Sequence, residues 1–80
     1  MTKKEIIDRL DEIDTMVLDT KEALEDLIND VDLASEDLEE RESASTNAKI
    51  SEAMEILESV KDNLEEQKEA VQEALDLLTE

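Results

Sequence analysis

The sequence predicts an all-α fold: an antiparallel helical hairpin, built as a two-helix coiled coil, that dimerises to a four-helix bundle. Three observations predict it. Gly and Pro are absent from the 80 residues, which removes the two residues that oppose helix most strongly. Apolar residues recur at alternating spacings of three and four, from Ile6 to Leu38 and again from Ile50 to Leu78. Between the two series lies the only small-polar cluster, Arg41-Glu-Ser-Ala-Ser-Thr-Asn47. Its Ser, Thr and Asn side chains favour caps and turns because they bond nearby backbone groups.

In the first series Leu10, Val17, Leu24, Val31 and Leu38 take position a of a heptad, and Ile6, Ile13, Thr20, Leu27 and Ala34 take d. The unbroken frame predicts a helix over 3–40, with Thr2 and Glu5 at capping-box spacing at its start. In the second, Ile50, Leu57, Leu64, Val71 and Leu78 are a, and Ala53, Val60, Gln67 and Ala74 are d. This predicts a helix over 47–79. The frames do not join, since the first would place its next a at Ser45. A turn is therefore expected over 41–46, and residues 1–80 form a single helical domain.

A short connection makes the two helices antiparallel. Pairing residues whose numbers sum to 84 sets every a layer against a d layer. It also puts the polar d residues Thr20 and Gln67 in adjacent layers, where they are expected to set the register. The flanks then bring Ile7 to Leu75, Asp14 to Lys68, Ile28 to Met54, Met16 to Ala70 and Asp37 to Lys49. Lys21 falls opposite Lys61, and each can find Glu25 or Glu65 four residues along its own helix. The competing fold is a three-helix bundle, with the first helix broken near Asp19-Thr20 or Asn29–Asp32. The poor helix propensity of those stretches favours it; the unbroken heptads oppose it.

Charge is sorted on this frame. There are 26 Asp and Glu against 8 Lys and Arg, a net charge of −18. From Asp8 onward the outer positions b, c and f hold 21 of the carboxylates and no basic residue. Arg9, Lys21, Lys49, Lys61 and Lys68 all sit at e or g, beside the seam. Ordinary coiled coils mix both signs on the outside to limit self-repulsion. The clustered carboxylates Glu22, Glu25, Asp26, Glu65, Glu66 and Glu69 are the candidate partner-binding face. Met16, Leu18, Leu33, Ile56 and Leu77 lie outside the a/d set and widen the apolar stripe. They are the candidate interface for a second copy or a partner helix.

Composition excludes most chemistry. Without Cys or His there is no thiol or imidazole catalysis and no common zinc or haem ligand set. Without Gly there is no phosphate-cradling loop. Without aromatics there is no base-stacking platform. Asp30-Val-Asp32 starts like a calcium loop but lacks the glycine and closing glutamate that such loops need. No enzyme activity, cofactor or metal is expected. The net charge argues against direct nucleic-acid binding and against an anionic membrane surface. No apolar run approaches the ~20 residues of a membrane span, and no signal-peptide pattern is present. The expected location is the cytoplasm, that of the host cell if the chain is phage-encoded.

The expected function is inhibition by charge mimicry. An acidic helical rod would occupy the basic groove of a nucleic-acid-binding protein. In general character the chain resembles the small acidic, Cys-free counter-defence proteins of phages and mobile elements, DNA mimics and anti-CRISPR proteins among them. No motif assigns it to a named family. The alternative is a structural or assembly module whose seam oligomerises or holds a partner helix, with the acidity conferring solubility.

Overall fold

The computed structural model describes all 80 residues and is helical from end to end, in three segments. Helix α1 runs Lys3–Leu33, α2 Ser35–Arg41 and α3 Ala44–Thr79. Thr2 caps α1 as its spacing predicts: its hydroxyl accepts from the Glu5 amide at 3.2 Å.

The first helix is not continuous to residue 40, a departure from the expected 3–40. It breaks at Ala34, two residues past the weak helix-forming run Asn29-Asp-Val-Asp32. Ala34 takes φ −89° and ψ 1°, the sparsely allowed bridge region. Its amide still bonds the Asp30 carbonyl at 3.0 Å, and its carbonyl accepts from Leu38 at 2.9 Å. The break is therefore a local kink, and hydrogen bonds run across it into α2.

The turn is also tighter than 41–46. Only Glu42 and Ser43 separate α2 from α3. Ser43 ends the turn because its side chain accepts from the Thr46 amide at 3.1 Å, so α3 starts three residues earlier than expected. Asn47 closes the turn from inside α3. Its amide donates to the Leu38 carbonyl at 3.1 Å and the Glu42 carbonyl at 3.3 Å. The Leu38 carbonyl also accepts from the Glu42 amide at 2.9 Å, the last helical bond of α2, so Asn47 ties the end of α2 to the turn residue that follows it.

Helices α1 and α3 lie side by side in opposite directions, in a body 56 × 18 × 14 Å. Lys21 of α1 meets Glu65 of α3, and Asp14 meets Lys68. These residue numbers sum to 86 and 82, either side of 84.

The rotation of each helix about its axis differs from the a/d seam of a two-stranded coiled coil. From Leu10 to Leu38 and from Ile50 to Leu78, every a residue is half-buried. The second half-buried row is e: Ile7, Asp14, Lys21 and Ile28 on α1, and Asn47, Met54, Lys61, Lys68 and Leu75 on α3. The d residues Ile6, Ile13, Thr20, Leu27, Ala53, Val60 and Gln67 are exposed. Both readings share the three–four spacing, because a to e is four residues and e to the next a is three. No residue in the chain is fully buried.

This rotation makes the molecule two-faced. In an antiparallel pair with an a/e seam, the d and g rows of both helices fall on one side. The b and f rows fall on the other, and c lies at the edges.

Candidate functional site: an acidic face and an apolar face

On the b/f side stand Asp8, Asp11, Glu22, Glu25, Asp32, Glu36 and Glu39 from α1 and α2. Glu55, Glu58, Asp62, Glu65, Glu69 and Asp76 come from α3. All 13 are exposed. Spread along the 56 Å rod, they give about one carboxylate per 4 Å, close to the ~3.4 Å phosphate spacing of one DNA strand.

Lysines of the e row cross this face along its midline. Lys21 Nζ lies 3.1 Å from Glu65 on α3 and 3.5 Å from Glu25 on its own helix. The hydrogen bond that Lys21 donates to Glu65 holds its ammonium above the ordinary pKa of 10.5, and both carboxylates add to this by their charge. Partial loss of water around the amine opposes the shift. Lys68 is 4.0 Å from Asp14, and each side chain is 24% exposed. That distance exceeds hydrogen-bond range, and Asp14 Oδ1 has no hydrogen-bond partner. The expected Asp37–Lys49 pair gives way to Asp37 with Arg41, at 2.9 Å on the same helix.

The six candidate carboxylates are not gathered in one patch. Glu25 and Glu65 are drawn together under Lys21. Glu22 and Glu69 occupy f positions on the acidic face, while Asp26 and Glu66 occupy c positions at its edges. On the a/d frame b and c are symmetric about each helix, so the outer carboxylates show no sidedness; the a/e seam is what divides them between the b/f face and the c edges.

Toward the turn the acidic face opens into a groove of about 530 Å³. Its floor is Ile28, Val31, Leu38, Ile50 and Met54, and its rim carries Glu25, Asp32, Glu39 and Glu58 together with Lys61. The groove forms where the seam is flanked by the short side chains Asn29, Ser35, Asn47 and Ser51. The pairing of Ile28 with Met54 pointed to this spot, but the shortness of its neighbours was the signal for a groove.

The opposite face has another character. Between Ile6 and Leu27 on α1 its d and g residues are Ile6, Arg9, Ile13, Met16, Thr20, Ala23 and Leu27. Between Ala53 and Leu77 on α3 they are Ala53, Ile56, Val60, Asn63, Gln67, Ala70, Ala74 and Leu77. Arg9 is the one charged residue among these fifteen, in a chain that is 42% charged, while toward the turn the g rows of α1 and α3 add Asp30 and Lys49. Of the apolar candidates, Met16, Ile56 and Leu77 lie on this face at 65%, 60% and 67% exposure. Leu18, at b, and Leu33, at c, do not belong to it. Thr20 and Gln67 are exposed here and do not lie in a closed seam; the Thr20 hydroxyl donates to its own helix, to the Met16 carbonyl at 2.8 Å.

No three acidic side chains converge as a metal ligand set, and no helix is long and apolar enough to cross a membrane. No family model, curated protein or solved structure matches the chain.

Proposed function

We propose that this is a non-enzymatic protein, an antiparallel helical hairpin, that binds and inhibits a basic nucleic-acid-binding protein by charge mimicry. The carrying observation is the acidic face, with 13 exposed carboxylates at a spacing near that of phosphates on one strand. Such a face attracts a basic channel over several ångströms and speeds docking. Lys21 fixes Glu25 and Glu65 in relation to both helices, which lowers the ordering cost of presenting them. The groove at the turn end offers a seat for an apolar side chain of the partner, and the four carboxylates against one lysine at its rim favour a basic neighbourhood. A counter-defence role in the cytoplasm of a phage-infected cell, of the anti-CRISPR kind, is the biological setting we infer.

The test is affinity capture from a bacterial lysate at low and high salt, followed by challenge with duplex DNA. Mimicry predicts nucleic-acid-binding proteins that salt releases and duplex DNA displaces. Replacing Glu22, Asp62 and Glu69 by their amides weakens capture. Captured proteins that withstand both salt and DNA would overturn the reading.

The apolar face favours a second reading, that of an assembly module whose acidity serves solubility. There the amide variants bind as well as the parent, and substitutions on the d/g face abolish function.

A further inference from the structure

We infer that the d/g face is a self-association surface, and that two copies of this chain pack through it as a four-helix bundle. This association is independent of what the acidic face binds. Three observations carry it. First, none of the 80 residues is fully buried. A chain this small depends on burial to offset the entropy lost on ordering, and the a/e seam alone leaves it without a closed core. Second, from Ile6 to Leu27 and from Ala53 to Leu77 the face carries one charged residue, Arg9, and is rich in large apolar groups. Ile13, Leu27 and Val60 at d and Met16 and Ile56 at g are all exposed. In a four-helix bundle each helix meets one neighbour through a/e and another through d/g, so the unpartnered rows are those a second helix pair would cover.

Third, the dimensions suit a copy of the same face. The charge-poor stretch runs from Ile6 to Leu27 and from Ala53 to Leu77, about 35 Å at ~1.5 Å per residue. Over the 18 Å width of the molecule this is roughly 600 Å² per copy, or about 1,200 Å² between two, the lower end for specific interfaces. It is two helices wide and flat, a shape matched by another two-helix face. Thr20 can be covered without stranding a donor, because its hydroxyl already bonds the Met16 carbonyl.

The rim sets the behaviour of the association. Glu12, Asp19, Asp26, Glu52, Glu66 and Glu73 occupy c positions beside the face. A second copy brings rim against rim, acid against acid, so salt screens the repulsion and tightens the dimer. Binding of a basic partner by the acidic face has the opposite salt dependence, which separates the two surfaces in one experiment.

The experiment is sedimentation equilibrium of the intact protein at 50 mM and 500 mM salt, with helicity followed by circular dichroism. The expected result is a species of twice the 9.1 kDa chain mass whose dissociation constant falls at least tenfold at high salt. A helical 9.1 kDa monomer at both salts would overturn the inference, as would a species larger than two copies. The variant Ile13→Asp with Val60→Asp removes the dimer, whether the released chain stays folded or not. Leu33→Asp, on an exposed leucine outside the face, keeps it. Loss of the dimer in Leu33→Asp with retention in the double variant would assign the contact to a different surface.

Discussion

Lys21 Nζ sits 3.1 Å from the Glu65 carboxylate on the facing helix, and this contact ties α1 to α3 near the middle of the rod. A second carboxylate, Glu25, lies 3.5 Å away on the same helix as the lysine. The ammonium is thus held between two acids at the surface of the seam.

This pair has a pH signature. The Lys21 pKa is raised above 10.5, chiefly by its hydrogen bond to Glu65. Its contribution to stability is fully present below the unfolded value and is lost as pH rises through the folded one. The melting temperature is expected to fall above about pH 10.5. In Lys21→Arg the guanidinium stays charged, so the fall is smaller. Thermal melts of both proteins from pH 9 to pH 12 check this; identical curves would show that Lys21 does not couple the helices.

Asp14 tells the opposite story. Its Oδ1 has no hydrogen-bond partner, and Lys68 is 4.0 Å away. A carboxylate at the edge of an apolar seam without a close partner is a cost. Asp14→Leu with Lys68→Leu extends the apolar seam between Leu10 and Val17 and is expected to raise unfolding stability by about 1 kcal/mol. Urea titration at fixed protein concentration measures it. A loss of stability would mean that the long pair matters more than its geometry suggests.

Asn47 closes the turn by donating to the carbonyls of Leu38 and Glu42. Asn47→Ala removes both bonds and is expected to cost about 1–2 kcal/mol. Asn47→Asp costs more, because a carboxylate cannot donate and repels those oxygens. The order parent, Ala, Asp in urea midpoint is the expected outcome.

The helices themselves were legible in the sequence because their signals are local. The absence of Gly and Pro, the Thr2 cap and the polar cluster before Asn47 all act within a few residues. The three–four spacing placed every a residue in the seam. What the spacing could not decide is which row joins a. The d row, with Ile6, Ile13, Leu27 and Val60, is more apolar than the e row, which holds Asp14, Lys21, Lys61 and Lys68. Periodicity therefore favours d, whereas α1 and α3 pack through e and leave d outside. The clue lay in the g row: Met16, Ala23, Ile56, Ala70 and Leu77 widen the stripe past what a two-stranded seam uses. The break at Ala34 escaped the heptad frame because a kink that keeps its hydrogen bonds leaves the frame intact.

The account turns on one rotation, a/e inward with d/g on a separate apolar face. The chain has no cysteine, so single cysteines can be scanned through one heptad of α1 and their alkylation rates compared. The rotation predicts slow reaction at Val17→Cys and Lys21→Cys, and fast reaction at Asp19→Cys and Glu22→Cys. Reaction at Lys21→Cys as fast as at Glu22→Cys, with Thr20→Cys as slow as Val17→Cys, is the pattern of an a/d seam and would contradict it.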